Sequence, residues 1–299
     1  MDPHIEDLAR RIDNGAIIPY LGPAMLALCS DAKVPATPGA LAEIMTAKVS
    51  VPHKIRKRLT QAAQFIENFK HRKSVVQLMN EAFAITPKPS ALHLALAASG
   101  AGLWVDTWYD DTFAAALTQV RPQGGWAQVQ GLSQSEHFGQ WTGVYADDGE
   151  HLPMLPGDAG RLLYKPIGSH GPAGNYLVSD SDYVEVLTEI DIQTPIPQAV
   201  QAWRSGRHFL FLGCRFDDQL TRAFARQIMK RSSGQHWAVL PDEPSRMEAR
   251  FLQEQDITRI AMPLAQFADA LVEALQPAFA AQPAARPFSN PAALSRATS

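Results

Sequence analysis

The residues able to do chemistry stand in short, separated stretches. At Gly22-Pro23-Ala24 an apolar run (Ala16, Ile17, Ile18, Tyr20, Leu21) stops at a glycine, and a second apolar run, Met25–Cys29, follows at once. A buried strand ending in a glycine turn is where a doubly wound sheet presents backbone N–H groups to a phosphate. That chemistry ordinarily uses several glycines. Here Pro23 has no N–H to offer and Ala24 adds a Cβ, so the turn has the position of a phosphate loop without its donors.

His170, after Gly168-Ser169, carries an imidazole that could serve as a base, although a histidine after such a turn is more simply a surface residue. No G-x-S-x-G elbow surrounds Ser169, so a hydrolase triad has no support. His93 lies among apolar residues and reads as a core histidine. The pairs Asp110-Asp111, Asp147-Asp148 and Asp217-Asp218 invite a metal reading. Adjacent carboxylates rarely aim at one centre, so they are expected to cap helices and turns, and no metal is expected. Arg215 is permanently charged and needs a carboxylate, with Asp217 or Asp218 nearest in sequence, or an anion such as a phosphate. Lys54, Arg56, Lys57, Arg58, Lys70, Arg72 and Lys73 face a single acid, Glu67, between residues 54 and 73. Such a run reads first as a solvated helix face and second as a docking patch for an acidic protein or a nucleic acid.

The elements that must position these residues alternate between strands and helices. Ile5, Leu8, Ala9 and Ile12 share one helical face that ends at Asn14-Gly15, and the first strand follows. Residues 31–99 are helical by periodicity, with Pro38 at a helix start and Ser90 as a cap before Ala91–Ala98, and are expected to form an inserted lobe. Further strands are expected at Leu103–Thr107, Arg161–Ile167, His208–Cys214, His236–Leu240 and Ile257–Met262. Between them lie helices at Thr112–Val120, Tyr183–Leu187, Ile196–Ser205, Asp218–Lys230, Pro244–Gln255 and Leu264–Leu275. Residues 121–160, rich in Gly, Gln and Pro, suggest only a hairpin around Phe138–Tyr145 and Leu152–Leu155. The alternation predicts an α/β protein with a doubly wound, mainly parallel, Rossmann-like sheet. The domain is expected to span residues 1–276, and the Ala-, Pro- and Ser-rich stretch 277–299 is expected to be a disordered tail.

Composition sets the outer bounds. With 299 residues, 46% of them hydrophobic, the chain can bury an ordinary core, and its formal charge of −3 argues against general nucleic-acid binding. Two distant cysteines, Cys29 and Cys214, leave no Cys₄ zinc site and suggest a reducing compartment. The acidic start MDPHIEDLARR lacks the apolar core of a signal peptide, and no run approaches the ~20 apolar residues of a membrane span. The expected location is the cytoplasm, without a membrane partner.

Several blocks between Ile5 and Leu275, in order and at similar intervals, resemble the SIR2-like family, a sirtuin-type NAD-binding fold found in many bacterial proteins. AIIPYLGPAM resembles its first strand and GAG-type phosphate loop, and PSALHLALA (Pro89–Ala97) its helix before the second strand. WVDTWYDDTF (Trp104–Phe113) resembles the TTNYD segment, and LYKPIGSH (Leu163–His170) the KLHGS segment. YLVSDSDYVEVL resembles the stretch that follows, and FLFLGCRFDDQL the late strand with its GxSxxD ending. In active members the first loop cradles NAD phosphates, the TTNYD asparagine orders water or ribose, the KLHGS histidine is the base, and the late glycine–serine turn holds a ribose.

Carried over by position, Gly22 matches while Pro23 and Ala24 do not; Tyr109 and Asp110 match while Trp108 replaces the asparagine. Lys165, Gly168 and Ser169 match while Ile167 replaces the histidine, and Gly213 and Asp218 match while Arg215 replaces the serine. With Asp106, these are the positions at which the resemblance places the cofactor. Isoleucine cannot move a proton, and a tryptophan fills a ribose-sized space. The implied function is a catalytically degenerate SIR2-like module with a binding, regulatory or assembly role. No cofactor is expected, beyond weak binding of NAD or another nucleotide. A protein partner is expected, with Lys54–Lys73 as a docking surface, and self-association into a homo-oligomer is open. The alternative is an NAD-hydrolysing enzyme using displaced groups such as His170, Asp106 or Asp110, with His170 the candidate base.

Overall fold

The computed structural model describes residues 2–155, 160–189 and 196–279. Helix α1 (Pro3–Asp13) is capped by the Asp2 carboxylate and closes at Asn14, with Gly15 at φ +76° turning the chain into β1 (Ile17–Leu21). A 3₁₀ turn over Pro23–Leu28 stands where an α-helix would follow in most doubly wound sheets, with Pro23 at its start. Helices α2 (Pro38–Lys48), α3 (Leu59–Lys70), α4 (Arg72–Ala82) and α5 (Ala91–Ala98) come next, with a second 3₁₀ turn at His53–Ile55. Thr37 caps α2 and Ser90 caps α5 in a box closed by the His93 ring.

The chain then returns to the sheet with β2 (Leu103–Asp106), α6 (Thr112–Val120), β3 (Ala127–Gly131), β4 (Thr142–Ala146), β5 (His151–Leu152) and β6 (Leu162–Lys165). The short pair β7 (Gly168–Ser169) and β8 (Asn175–Tyr176) follows, then α7 (Asp180–Glu189) and α8 (Gln198–Arg204). Last come β9 (His208–Leu212), α9 (Gln219–Met229), β10 (His236–Val239), α10 (Arg246–Glu254), β11 (Ile257–Ile260) and α11 (Leu264–Phe279). The tail expected after Gln276 lies, from residue 280 on, outside the described residues. No helix among the described residues is long and apolar enough to cross a membrane.

Nine strands form one sheet in the order β11-β10-β9-β1-β2-β6-β3-β4-β5. Pairing is parallel from β11 to β3 and antiparallel at β3–β4 and β4–β5. Register aligns the carboxyl ends, with Leu21 opposite both Asp106 and Leu212. Because the chain leaves β1 for β2 on one side and returns at β9 on the other, a topological switch point opens beside Gly22.

Strand alternation divides the core in two. Ile18, Tyr20, Val105, Tyr164, Phe209 and Phe211 face one layer, and Ile17, Leu21, Trp104, Leu163, Leu210 and Leu212 face the other. Helices α2, α3 and α4 pack in the first layer, whereas α5 packs with α6 and α11 in the second. The expected lobe over 31–99 is thereby corrected at its end. The alanine-rich face of α5 suits close packing in a helix layer, and periodicity alone cannot say on which side of a sheet a helix lands.

Strand β3 has no counterpart in the sequence expectation. Its Gln128 and Gln130 are buried and read as loop residues, but their amides bond the Gly171, Ser169 and Asn175 carbonyls. The basic run is also not uniform. Arg56, Lys57 and Arg58 are exposed, but Arg72 is largely buried, 2.9 Å from Asp182 and 3.1 Å from Glu136, with Glu67 and the Tyr176 carbonyl also in reach. It fastens α3 and α4 to α7 and to the β7–β8 pair. Arg72→Met, which leaves the buried Asp182 carboxylate without its cation, is expected to destabilise the protein by about 3–5 kcal/mol in chemical denaturation. Arg56→Glu, Lys57→Glu and Arg58→Glu together are expected to leave the denaturation midpoint close to that of the wild type.

Candidate functional site

The carboxyl edge of β1 and β9 carries the first half of the site. Gly22 and Gly213 are in contact there. A Cβ on Gly22 would lie 2.5 Å from the Gly213 carbonyl oxygen, and a Cβ on Gly213 would lie 2.5 Å from the Met25 nitrogen. Gly213 also takes φ +67°, so both positions require glycine. The N–H groups of this turn are engaged within the protein. Gly22 donates to Leu212 O at 2.9 Å, Ala24 to Gly213 O at 3.0 Å and Met25 to Gly22 O at 3.1 Å, while Pro23 has none. A phosphate arriving here would find no free backbone donor between Gly22 and Met25. Cys214 is buried beneath the turn, and burial pushes its thiol well up.

The space over the next two strands is filled. Trp108 is buried, packs edge-on against Phe83 and tilted against Tyr109, and donates its Nε1–H to Pro35 O at 2.8 Å. This is the core-aromatic role, joining the chain before α2 and the end of α4 to the sheet. Ile167 is buried in the same apolar layer, and its carbonyl accepts the Leu177 N–H. Tyr109 is fully buried with its hydroxyl donating to Leu177 O at 2.7 Å, and burial pushes the phenol well up.

The polar groups form two linked clusters. Lys165, at the end of β6 and fully buried, reaches Asp106 Oδ2 and the Asp110 carbonyl, each at 2.7 Å. Burial pushes the Asp106 carboxyl up to about 6, against the pull of the Lys165 ammonium. Asp106 also accepts the Trp108 N–H and Asp110 accepts the Thr112 N–H, so the Asp110-Asp111 corner shapes a loop and a helix start.

The second cluster centres on Asp111, which lay in the sequence only as one half of an acidic pair. Its carboxylate accepts from Ser169 Oγ at 2.9 Å and from the Gly171 N–H at 3.0 Å, and lies 3.0 Å from His170 Nδ1. The hydrogen bond to Asp111 holds the His170 imidazole above its ordinary range, while His170, foremost among the favourable partners that offset burial, holds Asp111 below its own. Gly168, at φ +85°, lets the chain pass so close to β8 that a Cβ would sit 2.1 Å from Asn175 O. Gln128, Gln130 and Asn175 complete the frame of this loop. No motif signals them; the β3 pairing brings the two glutamines there and the β7–β8 pairing brings Asn175.

The remaining candidates lie apart from both clusters. Arg215 meets carboxylates, but not those adjacent in sequence. It forms a fork with Glu248 at 3.1 and 3.2 Å and reaches Asp242 at 3.1 Å. Asp218 caps α9, Asp148 accepts the Glu150 N–H in a turn, and His93 is buried, its imidazole pushed down to about 4. These are the capping and core roles their positions suggest.

A doubly wound, mainly parallel sheet with a glycine turn at its switch point defines the Rossmann-like class of α/β proteins. Within that class, the sequence pattern of the SIR2-like domain family matches residues 103–260, more than half of the chain. The chain belongs to the SIR2-like domain family. The matched segment runs from β2 to β11, so the β1 turn and the α2–α4 lobe precede it. A search of the curated proteins finds no match to the chain.

The Asp111–His170 contact generates a pH expectation. His170 pairing contributes stability that is present below its unfolded value near 6.5 and is lost as pH rises through the higher folded value; Asp111 contributes above its unfolded value near 3.8 and loses that as pH falls. In an NMR titration His170 should titrate above 6.5, and Asp111→Asn should return it to the ordinary range. A His170 titration unchanged by that substitution would refute the pairing.

Proposed function

We propose that this SIR2-like chain is a catalytically degenerate module that works by binding a partner, in regulation or assembly, rather than by cleaving NAD. The observation that carries this reading is the β1 turn, whose N–H groups are absorbed by Gly22, Leu212 and Gly213 carbonyls while Pro23 supplies none. Pyrophosphate binding at a strand end depends on those donors. The burial of Trp108 and Ile167 in one apolar layer supports it further, since a ribose and a nicotinamide ring would each have to displace packed side chains. The Arg215 fork to Glu248 and Asp242 removes the one exposed guanidinium that could have answered a phosphate from β9.

A second reading is favoured by one contact. Asp111 orients His170 through Nδ1, and the imidazole stays part-exposed, the arrangement of a base held by a carboxylate. On that reading the chain is an NAD hydrolase with a displaced base.

The two readings part in one assay. Incubated with NAD at high protein concentration, the wild-type chain is expected to release no nicotinamide, and calorimetry is expected to give no micromolar affinity. Trp108→Asn with Ile167→His is expected to leave it inactive, because the turn at Pro23 stays closed. Nicotinamide release that His170→Ala abolishes would overturn the degenerate reading.

A further inference from the structure

The positive charge of this chain is segregated. Residues 31–86 carry nine Lys and Arg against four Asp and Glu, so the −3 of the whole chain conceals a basic region on an otherwise acidic protein. Within it a surface cavity of about 540 Å³ opens between α2 and the start of α3, beside the 3₁₀ turn at His53–Ile55. Lys54, Arg56, Lys57 and Arg58 line it and are exposed. Glu43 is the one acid in the lining and is taken by Lys57 at 2.9 Å. Lys54, Arg56 and Arg58 have no carboxylate within ion-pair distance among the described residues.

We infer that this groove binds the phosphate backbone of a nucleic-acid duplex, without sequence preference. Three unpaired cations close together in a concavity repel one another and are relieved by several negative charges at once. A single exposed ion pair contributes only about 0–1 kcal/mol, so a monovalent ligand would be held weakly. A polymer of phosphates adds counterion release at every contact. A folded protein partner would need apolar or aromatic anchors, and the rest of the lining offers only Thr46, Ala47 and His53. With no Phe, Tyr or Trp in the lining and the His53 ring alone, successive bases have no stacking platform, so the contact is to the backbone of a duplex rather than to unpaired bases. This goes beyond the proposed degenerate role and stands whichever way the NAD assay falls.

Fluorescence anisotropy with a labelled 20-base-pair DNA duplex of arbitrary sequence tests the inference on the full chain. Three phosphate contacts predict binding at 50 mM salt with a log–log salt slope of about −2.7, and hence about 20-fold weaker binding at 150 mM. Lys54→Glu, Arg56→Glu and Arg58→Glu together should weaken binding at least tenfold and flatten the slope, with an unchanged melting curve. The glutamine triple is the second variant and should act in the same direction. Lys70→Glu with Lys73→Glu, at the end of α3 and the start of α4, should change binding less than threefold. The inference falls if the duplex does not bind at 50 mM salt, or if both charge-reversal sets weaken binding equally. It falls also if poly-glutamate at equal charge competes as well as unlabelled duplex, which would make the occupant an acidic polypeptide.

Discussion

One buried ammonium holds the carboxyl edge of the sheet together. Lys165 is buried away from bulk solvent, and the two oxygens it reaches, on Asp106 and Asp110, come from the end of β2 and the loop beyond. A charge in that position is tolerable only while both contacts persist. The pair therefore fixes where β6 ends relative to β2, and with it the loop that carries Trp108, Tyr109 and Asp111. From Asp111 the constraint passes to Ser169, His170 and Gly171, and so to the β7–β8 pair. Apart from the part-exposed His170 ring, the polar side chains of this edge are paired within the protein.

The second half of the edge reaches the same end by different means. At Gly22 and Gly213 two backbones meet without side chains between them, and the N–H groups of Gly22 and Ala24 are taken by the Leu212 and Gly213 carbonyls. Close backbone approach is what glycine permits, whether the neighbour is a phosphate or another strand end. Pro23 adds no donor of its own to this turn and starts a short 3₁₀ helix. Trp108 then ties the outcome to the lobe, since its indole joins Pro35 and Phe83 to the sheet.

The residues themselves determined the sheet and its main elements. Strand–helix alternation, the cap at Ser90, the proline start of α2 and the glycine ends of β1 and β9 follow from local chemistry and period, which neighbours along the chain suffice to set. The polar strand β3 was hidden, because Gln128 and Gln130 are satisfied only by carbonyls some 40 residues away in sequence. The side of the sheet taken by α5 was hidden for a similar reason, since it depends on which helices arrive to pack against it.

The candidate site divides along the same line. That Ile167 cannot act as a base, and that Pro23 cannot donate, are properties of the residue types and needed no fold. What Arg215 pairs with did need one: its carboxylates come from the loop after β10 and from α10, not from the adjacent aspartates. Arg72 likewise passes from a charged helix face to a buried hub only because α7 brings Asp182 beside it. A side chain's chemical capacity is written in its type, but its partner is chosen by packing, and long-range packing decides whether a charge meets water, a carboxylate or a ligand.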